Sequence, residues 1–286
     1  MQPQPLAYRN QEFLESDEAR PLRIMAEYLE PLRRFKAQHI QDTVVFFGSA
    51  RVHSRESAEQ ALDELQRAVG PRATDEALAR LARSRRAVEW SRYYEDARAL
   101  AHKLTTWSRS LDSPNHRFVV TSGGGPGIME AANRGAYEAG GKTVGLNIRL
   151  PFEQGANRYI TDGLHFEFHY FFMRKFWFAY LAKALVVFPG GFGTLDEMFE
   201  ILTLMQTEKL EKEIQILLYG TDYWDPILQL EPMQEWGAIS PGDTELVERA
   251  NSPDEAFELL KAHLEAHHLR PAPPPSATPA IAKTRS

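Results

Sequence analysis

The stretch "VVFPGGFGTLDEMFE", residues 186–200, joins an apolar β-branched run to a segment with apolar residues at helical spacing, through a proline and three glycines. It reads as a buried strand, a tight turn and a helix. Consecutive glycines let main-chain amides approach a ligand with no Cβ in the way, and the helix behind them adds unpaired N–H groups and the positive end of its dipole. Such a turn is a phosphate cradle. Asp196 and Glu197 fall in what the spacing gives as the first helical turn, about 100° apart around the axis, so only one can face a ligand held there.

The same pattern recurs along the chain. "TVVFFGS" (43–49), "RFVVTSGG" (117–124), "KTVGLNI" (142–148), "ALVVFPGG" (184–191) and "IQILLYG" (214–220) are short apolar runs with little alternation, each followed by a turn signal. They are expected to be parallel strands buried on both faces. Amphipathic stretches near 126–140, 169–183, 194–208, 222–236 and 253–267 separate or follow them. Strand alternating with helix predicts an α/β fold, a Rossmann-like doubly wound parallel sheet flanked by helices. Residues 56–111 hold more helix than one crossover needs, and predict two or three extra helices inserted after the first strand. One domain is expected over 21–268. Polar residues 1–20 and the proline-rich tail 269–286 are expected to lack fixed structure.

Composition narrows the chemistry. The 286 residues carry 33 basic and 39 acidic side chains, a formal charge of −6, which argues against nucleic acid or an anionic membrane as the main partner. With no cysteine, disulfides, thiolate metal sites and cysteine nucleophiles are excluded. Neither a signal peptide nor an apolar run of about 18 residues stands out, so a cytoplasmic location is expected. The nine histidines form no H-E-x-x-H and no G-x-S-x-G occurs, so neither a metal centre nor a serine nucleophile is expected.

Three of the five strands end in small-residue loops, "FFGSAR" (46–51), "VVTSGGGPGIMEAA" (119–132) and the 186–200 stretch. Ligands of open parallel sheets bind beyond such strand ends. Gly124, Gly125, Gly190, Gly191, Phe192, Gly193 and Thr194 are therefore candidate ligand contacts. An ordinary NAD fingerprint fails, because G-x-G-x-x-G begun at Gly123 meets Ile128 and begun at Gly191 meets Asp196. "GGKT" at 140–143 follows a helix and precedes a strand, the reverse of a Walker A loop, and is expected to be a helix C-cap. Arg174 and Lys175 sit among Phe171, Phe172, Met173, Phe176, Trp177 and Phe178, so one or both should point into desolvated space and need an anion. The plainer alternatives are snorkelling to water or pairing with a structural acid. Glu197 would address a sugar attached to the phosphate; Glu130 is a weaker candidate.

These residues resemble a known family. "PGGFGTLDE" (189–197) fits P-G-G-x-G-T-x-x-E, and "GGGPGIMEAANRGAYEAGG" with "MRK" (173–175) fits the companion motifs of the LOG family, the cytokinin riboside 5′-monophosphate phosphoribohydrolases long labelled "possible lysine decarboxylase". The resemblance spans roughly 43–265. The inserted helices and "HYFFMRKFWF" (169–178) are similar to the longer bacterial members. It implies a Rossmann-like hydrolase that cleaves the N-glycosidic bond of nucleoside 5′-monophosphates, with Arg174 and Glu197 as catalytic pair. It also implies nucleotide contacts from Lys175 and 191–194, further contacts from Glu153 and Thr203, a dimer or larger homo-oligomer, and no cofactor. Two alternatives stay open. One is a non-catalytic nucleotide-binding or carrier protein on the same fold; the other is a pyridoxal-phosphate decarboxylase, for which Lys175 is the one lysine near the glycine loops.

Overall fold

In chain order the strands are β1 (Thr43–Phe47), β2 (Val119–Ser122), β3 (Thr143–Ile148), β4 (His165–Phe168), β5 (Ala182–Val187), β6 (Gln215–Tyr219) and β7 (Val247–Ala250). They form one sheet in the order β4-β3-β2-β1-β5-β6-β7, and every neighbouring pair is parallel. The computed structural model describes residues 5–69, 74–150, 155–210 and 212–269. Glu153 and most of the proline-rich tail lie outside them.

Successive residues of the central strands feed opposite cores. Val45, Phe47, Leu185, Val187, Ile216 and Leu218 pack on one face, and Val44, Phe46, Ala184, Val186, Leu217 and Tyr219 on the other. A strand buried on both faces has no polar side to alternate with, which is why these runs read as continuously apolar.

The helices are α1 (Gln11–Glu15), α2 (Arg20–Ala37), α3 (Arg55–Ala68), α4 (Asp75–Arg109), α5 (Ile128–Glu138), α6 (Phe171–Leu181), α7 (Phe192–Gln206), α8 (Thr221–Trp224), α9 (Glu231–Glu235) and α10 (Pro253–His268). Residues of α4, α5 and α10 cover one face of the sheet, and residues of α2, α6, α7 and α8 the other. The doubly wound α/β expectation is met.

Several elements differ from the sequence expectation. The inserted segment forms two helices among the described residues, within the expected two or three, but α4 runs for 35 residues and its buried positions begin at Ser91, so only its second half packs on the sheet. The helix expected over 222–236 is instead the short pair α8 and α9; Asp225 still has helical backbone, but Pro226 after it lacks the N–H that would carry the helical ladder onward. Residues 11–15, in the stretch expected to lack fixed structure, form α1, capped by Asn10 and tied to α2 through Arg23, whose Nη1 donates to Leu14 O and Ser16 O. Gly140, at φ +71°, and Gly141 close α5 by donating to Tyr137 O and Ala136 O, as the C-cap expectation required.

The backbones of α4 and α5 approach closely at Gly135, where a Cβ would stand 2.0 Å from the Arg98 carbonyl oxygen. Ala normally stabilises a helix relative to Gly. Here Gly135→Ala should instead cost about 1–3 kcal/mol, because backbone must shift to admit the methyl, and urea denaturation at neutral pH measures it.

Candidate active site

The chain leaves β1 toward β2, β3 and β4 on one side, then returns through α6 to lay β5 on the other side of β1. The loops after β1 and β5 therefore diverge, and a cleft of about 690 Å³ opens between them at the carboxyl edge of the sheet. This is the topological switch point where open α/β sheets bind ligands. Gly48 to Arg51, Gly123, Arg174, Gly190 to Thr194, Asp196 and Glu197 line it, together with Trp90, Phe171 and Tyr223.

The third glycine loop divides its labour. A Cβ on Gly190 would stand 2.1 Å from Thr194 Oγ1, so this glycine serves the turn itself. Tyr223 Oη donates to Gly190 O at 2.7 Å, and Trp224 Nε1 donates to Val187 O at 3.1 Å, pinning the loop and strand end from behind. At Gly191 and Gly193 a Cβ would meet nothing within 4 Å. No protein atom demands glycine at either position; the open space beside them is where an anion could reach the main chain. The first amide of α7 with a backbone acceptor belongs to Thr194, leaving those of Phe192 and Gly193 at the positive end of the helix. The Phe192 side chain is 93% exposed, so it stands clear of the cradle.

α7 begins at Phe192, two residues earlier than expected, with Gly191 as N-cap. Asp196 and Glu197 consequently lie in the second turn, not the first, and the helix dipole no longer accounts for them. Both line the cleft, against the expectation that only one could face it, but their partners differ. Asp196 Oδ2 pairs with Lys175 Nζ at 2.8 Å, and Glu200 Oε2 approaches the same ammonium at 3.0 Å. Glu197, 7% exposed, faces the cleft and lies 3.9 Å from Arg174 Nη1, too far for a hydrogen bond.

Arg174 is held from three sides. Its Nε donates to Leu146 O at the end of β3 at 2.7 Å, and its guanidinium lies 5.0 Å from the Phe178 ring centroid. A Cβ on Gly123 would stand 2.6 Å from its Nη2, so this glycine makes room for the cation. Burial pulls the guanidinium below its usual range, with Glu197 opposing. Burial likewise pushes the Glu197 carboxyl up to about 7, and the nearby Arg174 and Lys175 offset only part of that rise.

The remaining candidates are placed elsewhere. Gly124, at φ +76°, packs against Asn147 and Gly145, and the Gly124 and Gly125 carbonyls accept bonds from Asn157 Nδ2 at 3.0 Å; neither glycine lines the cleft. Gly127 fits beneath Ser49 and Ala50, locking the second glycine loop to the first. Thr203 Oγ1 donates to Phe199 O one turn back and lines a separate groove with Met233 and Asp243. Glu130 accepts a bond from Tyr94 Oη at 2.7 Å. Sequence reasoning passed over Arg51, Gly123, Trp90 and Tyr223. "FFGSAR" carried the signal for Arg51 and "VVTSGGGPGIMEAA" that for Gly123, whereas Trp90 and Tyr223 depend on which elements the fold brings together.

Residues 129–260 match the family model described as "Possible lysine decarboxylase". A protein of Arabidopsis thaliana named "Cytokinin riboside 5'-monophosphate phosphoribohydrolase LOG3" is 26% identical over 184 residues, 62% of this chain and 78% of that one. The chain is similar to LOG-family proteins over part of its length. A Rhodococcoides fascians protein named "Cytokinin riboside 5'-monophosphate phosphoribohydrolase" is 31% identical over 126 residues, 43% of this chain and 62% of the other. Among solved structures, "structure of Moco Carrier Protein from Chlamydomonas reinhardtii" is 19% identical, covers 79% of this chain and 99% of its own, and aligns with a TM-score of 0.45.

The decarboxylase label does not suit this cleft. Imine formation with pyridoxal phosphate needs an accessible, readily deprotonated amine. Burial pulls Lys175 down, but its bonds to Asp196 and Glu200 more than offset that and hold the ammonium above its usual range. Lys175 is also absent from the cleft wall.

The raised carboxyl has a consequence for stability. Between about pH 4.5 and 7 the folded chain keeps a proton on Glu197 that the unfolded chain has lost, so this group's contribution to stability falls as pH rises and levels off above about 7. From pH 4.5 to pH 8 the wild type should therefore lose on the order of 3 kcal/mol more than Glu197→Gln does. Parallel denaturation curves across that range measure the difference, and superimposable slopes would show the carboxyl to be unshifted.

Proposed function

We propose that the chain is a cytoplasmic hydrolase that cleaves the N-glycosidic bond of nucleoside 5′-monophosphates, AMP or a cytokinin riboside 5′-monophosphate, to free base and ribose 5-phosphate. One observation carries this reading: open main chain at Gly191 and Gly193 shares a cleft with a buried carboxylate facing a buried guanidinium. The names borne by the relatives from Arabidopsis thaliana and Rhodococcoides fascians support it.

Cleavage builds positive charge on the ribose and negative charge on the departing base, and a site that stabilises both lowers the barrier. In this arrangement the amides of Phe192 and Gly193 hold the 5′-phosphate and so fix the sugar over Glu197. The C1′–N bond breaks with its electron pair going to the base, whose charge Arg174 opposes. Water adds to C1′ and gives its proton to Glu197, which passes it on to the base. A carboxyl titrating at about 7 suits such two-way transfer near neutrality. Lys175 supports from behind by fixing Asp196 and Glu200 on α7.

The chain also self-associates in this proposal. Leu22, Met25 and Leu29, each about half exposed, form a stripe at helical spacing on α2, an apolar face suited to a second copy. Sedimentation should show a dimer or larger species that Met25→Glu shifts toward monomer.

Incubation with AMP and chromatography for adenine tests the activity. Glu197→Ala should abolish adenine release while AMP still binds, and adenosine should react at least about 100-fold more slowly than AMP because it lacks the anchored phosphate. AMP binding with no adenine from the wild type would favour a carrier, and equal rates for adenosine and AMP would remove the phosphate cradle. Gly193→Ala should fold normally, since its methyl meets open space, yet bind AMP more weakly.

A further inference from the structure

At the amino ends of β2 and β3, on the edge of the sheet opposite the cleft, lies a second cavity of about 370 Å³. The end of α4, the 110–117 loop and the Gly140–Gly141 turn enclose it. Arg109, Arg117, Lys142 and His116 line it with the hydroxyls of Ser108 and Ser113, and no carboxylate among the described residues does. In a chain whose formal charge is −6, so local an excess of cations is unusual.

Each cation touches a helix end. Arg109 Nη1 donates to Ala139 O after α5 at 2.5 Å, Lys142 Nζ to Gln38 O after α2 at 3.1 Å, and Arg117 Nη2 to His268 O at the end of α10 at 2.8 Å. C-capping is thus part of their role. It does not exhaust them. Arg109 uses one donor in these bonds, and a guanidinium has five. Arg117 is neutralised by Asp42, whose Oδ2 is 2.7 Å from its Nε, whereas Arg109 and Lys142 find only neutral acceptors. His116 senses the surplus: burial and the charges of Lys142 and His39 lower its pKa.

We propose that this cavity is a second anion site that takes a compact phosphorylated metabolite without a nucleobase. Spare guanidinium and ammonium donors on a wall shared with the Ser113 hydroxyl, which only accepts a bond, from Asn115 N, suit phosphate oxygens; the Ser108 hydroxyl is already spent on Thr105 O. No Phe, Tyr or Trp lines the cavity, so nothing there offers a large ring on which a nucleobase could stack. The cleft presents main-chain amides to its anion; this site presents side-chain cations.

Pyrophosphate binding, measured by calorimetry at fixed ionic strength, tests the assignment. The measurements use a Gly191→Val background, whose side chain fills the open space beside the cradle and removes the cleft from the reckoning. Pyrophosphate should still bind there, and adding Arg109→Gln with Lys142→Gln should weaken it at least about tenfold. If losing two caps unfolds the chain, Ser113→Glu decides, because it adds an acid to the wall and leaves all three caps in place; it too should weaken binding at least about tenfold. The proposal is overturned if pyrophosphate fails to bind by about 10 mM, if Ser113→Glu leaves its affinity unchanged, or if AMP competes as well as pyrophosphate does.

Discussion

The site depends on burying an acid beside a cation without letting the two bond. Arg174 and Glu197 are both largely buried, yet 3.9 Å separates them, so neither satisfies the other. Isolated buried ions are costly, and an ion pair offsets that cost only where geometry and further hydrogen bonds are good. Here the cation has the Leu146 carbonyl and the Phe178 ring, while the carboxyl keeps its proton to about pH 7. The gap can persist because the two residues stand on different rigid helices, α6 and α7, flanking the same strand, β5.

Much of the remaining structure can be read as support for that separation. Gly123 yields space to the guanidinium, and Gly127 locks the second glycine loop beneath the first. Lys175, next to Arg174, pairs with Asp196 and Glu200, so the acids beside Glu197 on α7 are neutralised. Tyr223 and Trp224 hold the loop before α7 from the β6 side. Glycine consequently serves two ends in and behind the cleft, close packing at Gly123, Gly124, Gly127 and Gly190 and open main chain at Gly191 and Gly193.

The central strands were legible because burial on both faces left nothing but apolar residues to write them with. The edge strands were not. β4, "HFEF", alternates exposed and buried positions over four residues, and β7, "VERA", carries two charges; neither stands out from a loop in sequence. α2 follows a polar, proline-dotted lead-in and itself contains Pro31, which masks an 18-residue helix. In the site, Arg174, Glu197 and the 190–194 turn could be picked out because burying charge and repeating glycine are both rare. What spacing could not give was direction. Gly124 and Gly125 face Asn157, Thr203 bonds its own helix, and Lys175 turns from the cleft, all decided by packing between distant segments.

The most direct test of this account is the protonation of one carboxyl. Carbon-13 NMR of glutamate-labelled protein, with the Glu197 signal assigned by its loss in Glu197→Gln, follows the side chain through pH. The account predicts a midpoint near 7. A midpoint at the ordinary glutamate value of about 4.3 would contradict it, since Glu197 would then be solvated or bonded to Arg174, and not buried and held apart from it.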